Sequence, residues 1–380
     1  MWGSVKSTDR KIALRNWANA LHSKECYEEA AEKCREAISI DAEYPEAHNI
    51  LGVVLASQEH FDEAIGEHRK AYTLWQRAAN SNSRKLALLG WVNALESQKL
   101  YDQAAEKCRE AIEVDPNDPY AYSYLGILYS EQERVEEAIE QFSKADALWK
   151  KSGSSTRKLF LVRWALDLDS KELYEEAAEK CQEAIGVDPE YPDAYHFLGL
   201  VFAKQGRLDD AMEQYRIADA LFEKTKSTDR KLVLWDWGHA LLQQERLDDA
   251  VGKYGLATEV APKDGMANFR YGNALAACWR YSDAIVQFEQ AARLDPKRPY
   301  YNQNKAHFLF QLGRYEEGWK EWWITRDRYE SALQKPLLST ENSEILDRVS
   351  ILPGIVFCRL DRLTGDRKRL IECHVPFRVL

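Results

Sequence analysis

One recurring segment constrains the fold of this chain more than any other feature. YEEAAEKCREAI begins at Tyr27, YDQAAEKCREAI at Tyr101 and YEEAAEKCQEAI at Tyr174, so the copies lie 74 and 73 residues apart. Looser copies lie between these, and they begin at Phe61, Val135 and Leu208. Self-similarity at a fixed interval indicates an architecture of stacked repeats.

The repeating unit is about half as long as that interval. Aligning the copies on their small residue gives nine units, whose spacing alternates between 34 and 39 or 40 residues until two intervals of 34 end the series. The aligned residues are Ala30, Ala64, Ala104, Ala138, Ala177, Ala211, Ala250, Ala284 and Gly318. Upstream of each lies a segment such as HNILGVVLASQ, whose apolar residues recur at helical spacing. Each unit is therefore predicted to be a helical hairpin, which buries its apolar face only when neighbours stack on it.

Several motifs within these units resemble the tetratricopeptide repeat family, in its bacterial type. They are Leu-Gly at 51–52, 125–126 and 198–199, and Asp-Pro at 115–116, 188–189 and 295–296. The period of 34 residues is the family's. The resemblance covers roughly residues 11–330 and implies an all-α fold, a right-handed α-solenoid of about nine helix-turn-helix units. Four units depart from the pattern with Trp in place of Leu, at Trp17, Trp91, Trp164 and Trp237.

The predicted organisation has three parts. Residues 1–10 are a remnant of an upstream unit, residues 11–330 form the array, and residues 331–380 are a non-repeat tail, either disordered or part of a truncated domain. The predicted units start near residues 11, 45, 85, 119, 158, 192, 231, 265 and 299.

Every second unit carries five or six additional polar residues, such as KSTDRK at 6–11 and again at 226–231. An aromatic residue precedes each insert, at Trp2, Trp75, Trp149 and Phe222. We predict an extra turn on the second helix, with the aromatic packed beneath the longer loop. The alternative is a row of aromatics that bind a partner.

Motifs for catalysis or cofactor binding do not occur in the sequence. There is neither a Gly-rich phosphate loop nor an HExxH or CxxC metal pattern, so no nucleotide, metal or other cofactor is expected. Cys34, Cys108 and Cys181 take positions that hold aromatics in other units, which favours a role as core fillers. His22 and Cys26 are predicted to pack and not to bind metal. The chain is predicted not to be an enzyme.

The formal net charge of −10 argues against a nucleic-acid partner, since phosphate contacts need clustered Lys and Arg. Neither a secretory signal nor a membrane-spanning stretch is found, so no membrane partner is expected. Seven cysteines form no disulfide pattern. These features predict a cytoplasmic protein.

In stacked hairpins of this kind the first helices line an inner groove. The residues predicted to face it are Arg15, Asn19, Asn49, Asn93, Ser123, His196, Trp235, His239, Phe269, Asn273, Gln303 and His307. Family members commonly present Asn to the backbone of a bound peptide, and Asn19, Asn93 and Asn273 match that use; the alternative is a solvated amide. The groove becomes more aromatic toward Trp235 and Phe269, which predicts a partly apolar peptide or helix as ligand. The net charge of −10 favours a partner that is basic or apolar.

The resemblance implies a protein-protein interaction scaffold. One alternative is the substrate-selecting arm of a larger enzyme such as a glycosyltransferase-like protein. Another is self-assembly into a homo-oligomer, in which an exposed end or groove of one copy receives another copy.

Overall fold

The computed structural model describes the backbone of residues 7–333 and the side chains of residues 7–326. Every regular element in this range is an α-helix, and eighteen helices pair into nine hairpins, which confirms the predicted all-α repeat fold. The division into remnant, array and tail stays a prediction, because residues 1–6 and 334–380 lie outside the described range.

The chain forms two compact units, Met1–Leu221 and Phe222–Leu380. The helices of unit 1 are α1 (Ser7–His22), α2 (Tyr27–Ile40), α3 (Pro45–Ser57), α4 (Phe61–Arg77), α5 (Ser81–Ser97), α6 (Tyr101–Val114), α7 (Pro119–Glu131), α8 (Val135–Ser152), α9 (Arg157–Ser170), α10 (Tyr174–Val187) and α11 (Pro192–Lys204). The boundary falls inside α12 (Leu208–Thr225). The helices of unit 2 are α13 (Arg230–Gln243), α14 (Leu247–Val260), α15 (Gly265–Ala277), α16 (Tyr281–Leu294), α17 (Tyr300–Gln311) and α18 (Tyr315–Leu333).

Within each unit the hairpins stack in chain order. In unit 1 the second helix of each hairpin packs on the first helix of the next, from α2 on α3 to α10 on α11. The same arrangement recurs in unit 2, where α14 packs on α15 and α16 on α17. The repeat pattern therefore produces a continuous core in each unit, built from one hairpin after another.

Each hairpin turns at a residue of left-handed conformation. Glu59, at φ 64°, lies between α3 and α4, and the N–H of His60 donates to the carbonyl of Leu55 at 2.9 Å. The second helix then opens with acidic residues, as Asp62 and Glu63 do in α4, where the helix dipole favours them. This local chemistry fixes where one helix ends and the next begins.

The hairpins of unit 1 are of two kinds. In the glycine hairpins α3–α4, α7–α8 and α11–α12, a first-helix glycine faces a ring on the second helix: Gly52 faces His68, Gly126 faces Phe142 and Gly199 faces Tyr215. In the cysteine hairpins α1–α2, α5–α6 and α9–α10, the aligned pairs are Ala18 with Cys34, Val92 with Cys108 and Ala165 with Cys181, all buried. The prediction that the cysteines fill the core is confirmed.

The Trp substitutions and the lysine after each insert have structural partners. The Lys33, Lys107, Lys180 and Lys253 ammonium groups lie over the rings of Trp17, Trp91, Trp164 and Trp237, at 4.9, 4.9, 4.5 and 3.2 Å from their centroids. In the cysteine hairpins a lysine at the start of the first helix pairs with an aspartate after the second: Lys11 with Asp41, Lys85 with Asp115 and Lys158 with Asp188. Both contacts tie the two helices of one hairpin together.

The predicted extra turn on alternate second helices is confirmed. α4, α8 and α12 contain 17, 18 and 18 residues, whereas α2, α6 and α10 contain 14. Trp75, Trp149 and Phe222 are buried, as the packing interpretation requires. The equivalent Trp2 lies outside the described residues.

Candidate functional site

The first helices of unit 1 lie side by side, since each contacts the next from α1 through α11. On each of them, residues spaced by three or four share one stripe of the surface. On α5 this stripe carries Leu86, Leu89, Asn93 and Ser97. We call the surface made by the stripes of α1, α3, α5, α7, α9 and α11 the first-helix face of unit 1.

The predicted groove residues lie in both units, and their side chains differ in how much of their surface is exposed. The exposed ones are Asn19, Asn93, His239 and Asn273. The half-buried ones are Arg15, Asn49, Ser123, Phe269, Gln303 and His307. His196 and Trp235 are buried, with only 7% and 8% of their surface exposed, so these two side chains lie beneath the surface and not on it.

The predicted asparagines differ in what they already bind. The amides of Asn19, Asn93 and Asn273 make no hydrogen bond to any other group in the described part of the chain. Asn49 Oδ1, by contrast, lies 3.0 Å from His68 Nδ1 and accepts a hydrogen bond from it. Asn49 therefore holds a buried ring in place, while the other three amides are available to a ligand.

Five exposed apolar residues on the first-helix face of unit 1 were not among the predicted groove residues, and the three most exposed of them lie on consecutive first helices. These three are Leu86, Tyr120 and Leu159, which lie in the first two turns of α5, α7 and α9, and 56%, 47% and 51% of their surfaces are exposed. The repeated Arg-Lys-Leu at 84–86, 157–159 and 230–232 was the signal that could have found the leucines. These residues add an apolar edge to the surface that carries Asn93.

The opposite end of this face is rich in carboxylates. Asn93, Glu96, Ser97, Lys99, Tyr101 and Glu131 line a cavity of about 370 Å³. Burial raises the pKa of Glu96, while the nearby Arg163 opposes that rise. Burial likewise raises the pKa of Asp167 on α9, against a hydrogen bond from Ser130. The Asn93 amide thus stands at the border between an apolar edge and partly desolvated carboxylates.

In unit 2 the aromatic groove residues are packed against other side chains. The Phe269 ring lies 5.1 Å from that of Tyr300 and 5.2 Å from that of Tyr301. The Arg270 guanidinium lies 4.8 Å above the ring of Trp235. Burial lowers the pKa of His307. His239 and Asn273 therefore form the exposed part of the predicted surface in this unit.

The cysteines at the repeated position are held in the core, whereas Cys26, which was predicted to pack beside His22, is exposed. Burial raises the pKa of Cys34 and of Cys181 to about 12, and it raises that of Cys108 as well. His22 Nε2 lies 3.0 Å from the hydroxyl of Ser57. Within residues 7–326, no three His, Cys, Asp or Glu side chains come together as a metal site. None of the helices in the described range is long and apolar enough to span a bilayer.

Comparison with known proteins gives matches to two family profiles, both described as tetratricopeptide repeat, over residues 162–224 and 236–299 and over residues 107–140. The chain is a tetratricopeptide repeat protein. The matched residues lie between α6 and the loop that follows α16, where the repeat pattern and the helix bounds agree.

The curated relatives of this tetratricopeptide repeat protein are longer chains. It is 29% identical over 168 residues to a probable UDP-N-acetylglucosamine--peptide N-acetylglucosaminyltransferase SPINDLY of Hordeum vulgare, covering 43% of this chain and 17% of the relative. It is 21% identical over 290 residues to anaphase-promoting complex subunit 3 of Schizosaccharomyces pombe, covering 76% and 41%. The chain thus spans less than half of the length of these relatives.

Solved structures with a similar arrangement of helices match part of the chain. One is YrrB, described as a tetratricopeptide repeat protein with an unusual peptide-binding site, at 24% identity and a TM-score of 0.38; the match covers 53% of this chain and 98% of YrrB. Another is PilF of Pseudomonas aeruginosa, at 20% identity and a TM-score of 0.44, covering 60% of this chain and 99% of PilF.

Proposed function

We propose that this protein is an interaction scaffold whose first-helix face in unit 1 binds a peptide or an amphipathic helix of a partner protein. The observation that carries the proposal is the amide of Asn93, which is exposed and has no hydrogen-bond partner in the described part of the chain. An amide there can donate to one peptide carbonyl and accept from one peptide N–H.

The apolar edge supplies the driving force for this binding. Leu86, Tyr120 and Leu159 expose large side chains on three consecutive first helices. Covering such surface contributes about 25 cal/mol for each Å² of apolar area removed from water. Apolar side chains along one side of the ligand fit this edge.

The carboxylate end selects the charge of the ligand. Glu96, Glu131 and Asp167 lie close together here, and Arg163 and Lys171 offset only part of the effect of burial on the pKa values of Glu96 and Asp167. A lysine or arginine of the ligand there gains from carboxylates that are already partly desolvated. The expected ligand is therefore apolar along one edge and basic along the other.

The proposal is tested by selecting peptides from a displayed library on the full chain and measuring the affinity of the selected peptides by calorimetry. We expect apolar and basic residues in the selected sequences. Asn93→Ala should weaken binding about fivefold to tenfold, because one net hydrogen bond contributes about 1 kcal/mol. Gln103→Ala is the matched control, since it removes an exposed amide from α6, on the other side of the hairpin.

Equal affinities for Asn93→Ala and the unaltered protein, together with folded circular dichroism spectra for both, would place the ligand elsewhere. Asn273→Ala then tests the separate surface of unit 2. A loss confined to this variant would assign binding to the exposed residues of that unit and reject the face in unit 1.

A second candidate function is a substrate-selecting arm of a larger enzyme. It is favoured by the match to the Hordeum vulgare relative, whose description names a peptide glycosyltransferase. Mass spectrometry of the protein purified from its native cells separates the two functions. A product much heavier than 43.9 kDa, with transferase activity on the selected peptides, would support the enzyme arm.

A further inference from the structure

A basic cavity lies on the outer side of unit 1, away from the first-helix face. It has a volume of about 480 Å³ and opens between the loop that follows α2 and the outward side of α4. Its charged lining consists of His48, Arg69, Lys70, Arg77 and Glu43. A concentration of cations is unexpected on a chain whose formal net charge is −10.

His48 contributes a positive charge to this cavity. Its Nδ1 lies 2.5 Å from a carboxylate oxygen of Glu67, and its Nε2 lies 3.0 Å from the carbonyl of Ala42. Both partners are acceptors, so both ring nitrogens must donate, and the ring is an imidazolium. The hydrogen bond to Glu67 raises the pKa of His48 accordingly.

The remaining cations are incompletely compensated. Arg69 forms no ion pair with any described residue, and its guanidinium lies 5.3 Å above the ring of Trp91. Lys70 shares Glu67 with His48 at 2.7 Å, and Arg77 reaches Glu43 only at 3.8 Å. Four cationic groups therefore face two carboxylates, which leaves positive charge for a ligand of opposite sign.

The other two glycine hairpins lack this arrangement. Tyr122 and Tyr195 replace His48 and donate to the carbonyls of Pro116 and Pro189, so the same junction is made there without a charge. Ser143 replaces Arg69 in α8. In α12 the aligned Arg216 is bound to Glu213 at 2.6 and 2.8 Å. Among the three glycine hairpins, only α3–α4 combines a charged histidine with an arginine that forms no ion pair to a described residue, although α8 also carries Lys144 and Lys151 at the positions of Lys70 and Arg77.

We propose that this cavity binds a phosphate group. A phosphate carries a charge of about −1.5 to −2 near neutral pH, and guanidinium groups bind it with paired hydrogen bonds. The cavity is larger than a phosphate ion, and Ile38, Ala42 and Leu74 add apolar lining beside the cations. It therefore has room for a phosphate together with the group that carries it.

The experiment is a titration of the full chain with inorganic phosphate and with N-acetyl-phosphoserine amide, followed by NMR and calorimetry. We expect saturable binding at α4. Arg69→Gln should weaken it about tenfold and Arg77→Gln about threefold, because each removes a charge-assisted contact. Lys144→Gln and Lys151→Gln in α8 remove charges at positions aligned with Lys70 and Arg77, and they should leave binding unchanged.

His48→Tyr tests the imidazolium in a way that preserves the fold, since tyrosine occupies the aligned position in both other glycine hairpins. Sulfate is the probe for this test, because its charge is constant between pH 5.5 and 8. Sulfate affinity should fall as the pH rises through the pKa of His48, and this fall should disappear in His48→Tyr.

The two phosphate ligands distinguish the source of the group. Tighter binding of phosphoserine amide identifies a phosphorylated side chain, tighter binding of inorganic phosphate identifies the free ion, and either order supports the site. Absence of saturable binding by both overturns it, as does equal weakening by the α4 and α8 variants. Asn93→Ala should leave phosphate binding intact, so the outcome is independent of the function proposed for the first-helix face.

Discussion

The glycine hairpins and the cysteine hairpins of unit 1 fill the space between their two helices in different ways. In α7–α8 the ring of Phe142 lies so close to Gly126 that a Cβ there would come within 2.6 Å of it. In α5–α6 the aligned positions hold Val92 and Cys108, both fully buried. A large side chain on the second helix thus accompanies a glycine on the first, and a small one accompanies alanine or valine. The two facing positions together therefore conserve side-chain volume, whereas neither position conserves it alone.

The largest expected difference between the two kinds follows from removing the second-helix side chain. Phe142→Ala should destabilise α7–α8 by about 4 kcal/mol, because it leaves a cavity beside a residue that has no side chain to fill it. Cys108→Ala should cost about 1 kcal/mol in α5–α6, where only one heavy atom is lost. Hydrogen exchange of the backbone amides, read by mass spectrometry, measures both values locally. Similar losses in the two hairpins would show that the paired positions do not share one space.

A pH dependence should separate the histidine-containing glycine hairpin from the rest. Burial lowers the pKa of His68 to about 4, whereas an unfolded histidine titrates near 6.5. The unfolded state therefore binds the proton first, and α3–α4 loses stability as the pH falls from about 6.5 to 4. The full loss is about 3 kcal/mol.

His68→Phe supplies the comparison for this pH effect, because phenylalanine occupies the aligned position in α8. The difference in unfolding free energy between this variant and the unaltered protein should change across the range from pH 6.5 to pH 4. His48 has the opposite sign, since its raised pKa stabilises the fold at low pH, but it is present in both proteins and cancels. If this difference does not change with pH, then burial does not lower the pKa of His68 in the folded protein.

A smaller effect tests the exchange of volume directly. Gly126→Ala should destabilise α7–α8 by about 2 kcal/mol through overpacking against Phe142. When Phe142→Cys is added, the hairpin acquires the alanine-cysteine pair of α1–α2, and the added methyl group should then stabilise and not destabilise. A double-mutant cycle on α7–α8 measures this change of sign. If the losses of unfolding free energy caused by the two substitutions are additive, then the backbones of the two kinds of hairpin, and not their side chains, set the distance between the helices.

Much of the fold was predictable because the repeat supplies the same information nine times. The segment at Tyr27 and its copies predicted the second helices, and the longer spacing predicted the extra turn of α4, α8 and α12. The partnership between Gly126 and Phe142 was not predicted, since sixteen residues separate them in sequence and only the packed hairpin brings them together. The unit boundary inside α12 also has no counterpart in the repeat pattern.

The candidate site was less predictable than the fold. Helical spacing placed Asn19 and Asn93 on the surface, but it assigned the same status to His196 and Trp235, which are buried. The exposure of a first-helix residue depends on the hairpins beside it, and these differ in side-chain size from one kind to the next. Leu86 was not among the predicted groove residues, because an apolar residue in a helix is ordinarily no signal of an exposed position.

The alternation of the two kinds of hairpin has a consequence for how such a gene changes length. Recombination between the near-identical stretches that begin at Tyr27 and Tyr101 removes or duplicates one cysteine hairpin together with one glycine hairpin. Every junction in the product is then of a type that already exists. Loss of a glycine hairpin alone would instead bring two cysteine hairpins together, a junction that none of the described hairpins makes, so descendants of this array should lose glycine hairpins together with cysteine hairpins.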